Sequence, residues 1–165
     1  MKTMSYFSGK LMATAFAALS VFAFTGCTED LGESIGNTNT AVEYTISGSA
    51  TGAQMVPAVT GTGSATISGT YNASTNQLNY TTTWTGLTGG PTSGGFYMGA
   101  TGQSGTMVGS PWTLGTTTTA AGSVNGQLTL TDAQETDLLA GNWYYTLGTA
   151  ANTGGEVRGQ ITATR

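Results

Sequence analysis

From Val42 onward, apolar and polar residues alternate with a period of two, the signature of strands that bury one face. Val42, Tyr44 and Ile46 alternate with Glu43, Thr45 and Ser47. Residues 62–70 (TGSATISGT) repeat the pattern with Ala65 and Ile67 inward. A turn cluster follows at 72–76 (NASTN), and residues 78–87 (LNYTTTWTGL) return with Leu78, Tyr80, Thr82 and Trp84 on one face. Together these predict a hairpin. Gly89-Gly90-Pro91 interrupts the alternation; residues 95–99 (GFYMG) read as a short strand and 100–109 as a long glycine-rich loop. Residues 112–120, 123–131 (with Leu128 and Leu130 inward), 143–147 and 156–164 read as the remaining strands, the last two joined by a turn at 150–155.

One segment has a different character. In residues 131–140 (TDAQETDLLA), Thr131 stands where a helix wants its N-cap and Gln134 where a capping box wants Glu or Gln. Gly141 supplies the stop, and Leu138 and Leu139 would pin the helix to the core. Many short strands with one short helix predict an all-β fold, an antiparallel Greek-key-like sandwich or barrel.

The chain ahead of Val42 is not domain material. Residues 11–24 (LMATAFAALSVFAF) form an uncharged apolar run behind Lys2 and Lys10. A spanning helix needs about 20 apolar residues, so the run is too short for one and fits the core of a secretion signal. The sole cysteine, Cys27, follows at once in Phe24-Thr25-Gly26-Cys27, which excludes an internal disulfide. This stretch resembles the lipobox of bacterial lipoproteins, with Phe24 in place of the usual Leu. The resemblance implies cleavage before Cys27 and acylation of its thiol, palmitate included, as a membrane anchor. The expected organisation is a signal at 1–26, a lipidated cysteine and flexible tether at 27–41, and a domain at 42–165. The acidic cluster Glu29-Asp30 and Glu33 resembles sequences that direct some lipoproteins to the cell surface. The expected location is the bacterial cell envelope, on the outer membrane.

Charge narrows the function. Cleavage would remove Lys2 and Lys10, leaving Arg158 and Arg165 against eight acidic residues, a net charge of −6. Such a chain has nothing with which to neutralise a phosphate backbone, so nucleic acid is not an expected partner. Charged residues are 7% of the whole while hydrophobic ones are 38%, against about 25% charged in an ordinary soluble domain. With Thr and aromatics abundant, that balance favours folded strands over disorder.

Three segments resemble one family. Residues 49–59 (SATGAQMVPAV), 130–143 (LTDAQETDLLAGNW) and 149–161 (TAANTGGEVRGQI) match the chordin-type CHRD domain in order and spacing, over about 42–165. The resemblance implies an all-β module rather than a particular reaction. It marks Asn152, Gly154, Gly155, Glu156, Arg158 and Gly159 as motif residues with a structural task. Family members commonly carry a His-x-His pair and a further His, at places that fall here on Phe96, Met98 and Gly148. This chain has no histidine at all. A metal held by such imidazoles is therefore not expected, and Met98 alone would make no site; no cofactor is expected.

Catalysis by ordinary acid–base groups finds few candidates. Within 42–165 the carboxylates are Glu43, Asp132, Glu135, Asp137 and Glu156. Asp132 and Glu135 share a helix face, where acids chiefly favour the helix dipole. A Ser-His-Asp triad is excluded without histidine. Glu156 and Arg158, two apart on an expected strand, read as an ion pair and hydrogen-bond staple for the 152–155 turn. The GATGQSG run at 99–105 lacks the Lys and following helix of a phosphate cradle and reads as a loop. Asn72-Ala73-Ser74 and Asn79-Tyr80-Thr81 match the glycan-acceptor pattern but read as turn and strand. Among the aromatics, Tyr97, Trp112 and Tyr145 are the candidate binding surface. The leading expectation is a non-enzymatic, lipid-anchored module with a membrane contact and a protein or glycan partner. The alternatives are a degenerate member of a metal-binding sandwich family, an enzyme with an unrecognised site, and a domain that pads the envelope.

Overall fold

The computed structural model describes residues 41–115 and 119–165, all within one compact unit, 38–165. The expected signal, Cys27 and nearly all of the tether lie outside the described residues. Nine strands and one helix follow in chain order: β1 (Glu43–Thr51), β2 (Ser64–Asn72), β3 (Gln77–Thr85), β4 (Pro91–Met98), β5 (Thr106–Val108), β6 (Gly122–Thr129), α1 (Asp132–Leu139), β7 (Trp143–Thr149), β8 (Val157–Gln160) and β9 (Thr162–Thr164). They form one antiparallel sheet in the order β5-β4-β7-β8-β1-β2-β3-β6, with β9 also on β1. The fold is all-β with a single short helix, as the sequence predicts.

The sheet curls into a half-barrel, so that its two halves face each other across the core. Tyr145 on β7 shows the closure: its hydroxyl donates to the carbonyls of Gly48 on β1, at 3.2 Å, and Ala65 on β2, at 3.1 Å. Tyr80 on β3 meets Phe96 on β4 edge to face at 4.7 Å. Ile46, Ile67, Leu78 and Trp84 from one half and Phe96, Trp143 and Leu147 from the other are all buried in this space. Alternation therefore reflects burial on one side, as expected for β1, β2 and β3.

The hairpin of β2 and β3 turns at Asn76, whose φ of 56° is tolerated by Asn. The Asn72 side chain takes the amides of Ser74 and Thr75, at 2.9 and 3.1 Å, which fixes the turn. Helix α1 begins with the expected capping box, formed by reciprocal bonds between Thr131 and Gln134. It ends at Gly141, whose φ is 75°. Leu138 is fully buried beneath it.

Four local expectations are corrected. The 95–99 strand is the end of a longer one, because Pro91 can start an edge and a register shift between Pro91 and Ser93 absorbs the irregularity. Three residues of the supposed 100–109 loop pair with β4 as β5. No strand occurs among the described residues of 112–120; Trp112 leaves the sheet edge and plugs the core, stacked on Tyr80 at 5.4 Å. The 156–164 strand is interrupted at Ile161, a buried residue that divides β8 from β9 and donates its amide to Trp143 at 2.8 Å.

Candidate functional site

The motif residues gather where β7 turns into β8. Thr149 and Asn152 exchange backbone bonds of 3.2 and 3.1 Å, and the amide of Glu156 reaches the Leu147 carbonyl at 2.7 Å. Gly155 has a φ of 121°, and a Cβ there would come within 2.5 Å of the Met55 methyl. Gly159 faces Tyr145 in register, and a Cβ on it would lie 2.7 Å from the Ser49 carbonyl oxygen. Both positions require glycine, one for its conformation and the other for close approach of β1. Gly154 stands in open space, and nothing in the structure requires glycine there.

Glu156 is 2% exposed and takes no cation among the described residues. Its Oε1 accepts the Thr88 amide at 2.8 Å, and its Oε2 accepts the hydroxyls of Thr88 and Thr149, both at 2.6 Å, and the Asn152 amide at 3.4 Å. Burial by itself would raise this carboxyl. The donors from Thr149, Thr88 and Asn152 outweigh burial and hold it below the ordinary carboxylate range.

Arg158, 3% exposed, works on a different loop. Its Nη2 donates to the carbonyls of Ala100 and Gln103, at 3.0 and 2.7 Å, and its guanidinium lies 3.6 Å over the Tyr144 ring. Two residues on, Gln160 donates to the carbonyls of Gly99 and Gly141 at 3.0 and 2.8 Å. The Tyr144 hydroxyl completes the clamp by accepting the Gly105 amide at 3.0 Å. The 99–105 segment is thus the expected loop, held down by β8.

The expected Glu156–Arg158 ion pair does not form. β8 begins at Val157, so Glu156 sits in the preceding turn and the strand alternation does not reach it. The staple is real but divided: Glu156 fastens the loop after β3, and Arg158 fastens the loop after β4.

The aromatic candidates separate. Tyr145 is fully buried and Trp112 is buried, so neither belongs to a binding surface. Tyr144, next to Tyr145 on β7, is covered by Arg158 and the 99–105 loop, which leaves β7 buried on both faces. Tyr97 alone remains partly open, stacked on Tyr144 at 5.3 Å. Opposite it in register is Met107, one of two exposed large apolar side chains among the described residues and one that sequence reasoning missed. Its strand is three residues long, too short to show a period.

Where relatives' histidines would fall, this chain packs. Phe96 sits in the aromatic core, 5.1 Å from Trp112 and 5.7 Å from Trp143, on a strand and not on a loop. Met98 packs partly buried against the same core, and the α-carbon of Gly148 faces the Ser93 hydroxyl. Asp132 and Glu135 lie in the first turn of α1. Among the described residues no group of three His, Cys, Asp or Glu side chains is placed to hold a metal.

The CHRD domain matches residues 46–161, well over half of the chain. This chain belongs to the CHRD domain family. The matched span runs from β1 to the junction of β8 and β9, so it takes in every clamp described above. No curated protein and no solved structure matches the chain. Among the described residues of this CHRD domain, no helix is long and apolar enough to cross a membrane.

Proposed function

We propose that this CHRD protein is a non-enzymatic module of the bacterial cell envelope, anchored by lipid on Cys27, whose β domain binds a protein or glycan partner. The observation that carries the reading is the employment of its two buried charges. Glu156 is saturated by hydroxyl and amide donors, and Arg158 by loop carbonyls and an aromatic face, so neither is offered to a substrate. The acids of α1 lie in its first turn, where they favour the helix dipole. The anchor rests on the apolar run that ends just before Cys27. The partner-facing patch rests on Tyr97 and Met107, paired in register at the sheet edge.

Two measurements test this. Cells fed alkynyl palmitate should label the wild-type chain and not Cys27→Ser, with the label recovered in the membrane fraction. Crosslinking in whole envelopes should then trap a partner that Met107→Asp loses at least several-fold. An unlabelled wild type removes the anchor; a partner indifferent to Met107→Asp removes the patch.

A further inference from the structure

The half-barrel does not close. β5 and β6 end the sheet, and a slot of about 350 Å³ separates them, lined by Tyr80, Phe96, Val108, Trp112, Val124 and Leu128. β5 is three residues long, but β6 is eight, and among the described residues β3 is its sole strand partner. Exposed edges of that length are ordinarily blunted by a charge, a proline or a bulge. β6 (GSVNGQLT) has neither charge nor proline, and its register with β3 is unbroken from Gly122 to Thr129.

Its sequence is also chemically symmetric about Gly126. Ser123 answers Thr129, Val124 answers Leu128, and Asn125 answers Gln127. A two-fold interface needs this property, since each residue must suit the one it meets on the identical surface. Antiparallel pairing of two β6 strands with Gly126 opposite Gly126 would set Val124 against Leu128 on the inner face and Asn125 against Gln127 on the outer. The structure supplies the matching sides. Val124 and Leu128 are half-buried against the core, while Asn125 and Gln127 are exposed. The central residue must be small on its own account, because a Cβ on Gly126 would lie 2.5 Å from the Tyr80 hydroxyl. The strand's neutrality lets two copies of an acidic chain meet without like charges at the contact.

We infer that the chain forms a two-fold dimer by antiparallel pairing of β6 with β6 of a second copy, centred on Gly126. The inference is independent of the lipid anchor and of any partner at Tyr97. Its test is sedimentation equilibrium of the full chain in density-matched detergent, with the near-ultraviolet circular dichroism of the tryptophans as the check on folding. Wild type should have the mass of two chains. Asn125→Lys/Gln127→Lys sets like charges opposite each other twice and should fall to one chain. Asn125→Lys/Gln127→Glu sets opposite charges together in the same register and should return to two. A one-chain wild type overturns the dimer. A two-chain mass indifferent to the double-Lys variant, or a folded Lys/Glu variant that stays at one chain, overturns it as well.

Discussion

Glu156 takes both the amide and the hydroxyl of Thr88, at 2.8 and 2.6 Å, across 68 residues of sequence. One carboxylate thereby ties the turn before β8 to the connection between β3 and β4. The bonds are complete only while the carboxyl is charged, since a protonated oxygen becomes a donor facing donors.

That gives a pH dependence with a definite sign. The Glu156 carboxyl lies lower in the folded chain than its ordinary 4.5, so the unfolded chain binds the proton first. Its stabilisation is complete above pH 4.5 and is lost as pH falls through that value towards the lower folded one. Differential scanning calorimetry between pH 7 and pH 3 should show the wild type losing stability in that window. Glu156→Gln, which sets an amide donor among hydroxyl donors, should be destabilised by about 1–3 kcal/mol at pH 7 and lack that part of the acid response.

Arg158 holds residues 100 and 103 by their carbonyls and covers Tyr144. Arg158→Leu should keep the bulk, release both carbonyls, and lower stability by about 1–3 kcal/mol. Hydrogen exchange would locate the loss, with the Gly105 amide exchanging faster and the Leu138 amide in α1 unchanged until global unfolding.

Thr82 runs the other way. It is fully buried, and its hydroxyl has no hydrogen-bond partner among the described residues. Thr82→Val replaces an unpaired hydroxyl with a methyl of nearly the same shape and should raise stability by about 1–2 kcal/mol. A denaturant midpoint that drops instead would mean the hydroxyl finds a partner in solution.

The capping box offers a local check. Thr131 accepts the Gln134 amide at 3.3 Å, and Gln134 returns the bond at 3.0 Å. Thr131→Ala should cost about 0.5–2 kcal/mol, with the faster exchange confined to the first turn of α1.

What the sequence revealed and hid follows one rule. β1, β2 and β3 are long, solvated on one face and buried on the other, so Ile46, Ile67 and Trp84 announce themselves by alternation. α1 announces itself through Thr131, Gln134 and Gly141, because caps are local chemistry. β7 lies between β4 and β8, and the 99–105 loop returns over its outer face, so no local pattern distinguishes Tyr144 from Tyr145. Trp112 reads from the sequence as strand and surface; the slot between β5 and β6 explains why it turns inward. The Glu156 and Arg158 pair looked self-sufficient at a spacing of two. Glu156 keeps Thr149 and Asn152 close by, but its partner Thr88 and Arg158's partner Ala100 are 68 and 58 residues away, and no reading of neighbours reaches that far.

β1, the first strand among the described residues, pairs with β9 far along the chain, Thr45 with Thr164 and Ser47 with Thr162. A nascent polypeptide therefore cannot complete the pairing of β1 until residues 162–164 have emerged, and long-range pairing of this kind is slow. Removing residues 162–164 would strip Thr45, Ile46 and Ser47 of their partners in β9 and expose a fresh, unprotected edge. A protease that cuts ahead of Thr162 acts on the keystone of the sheet.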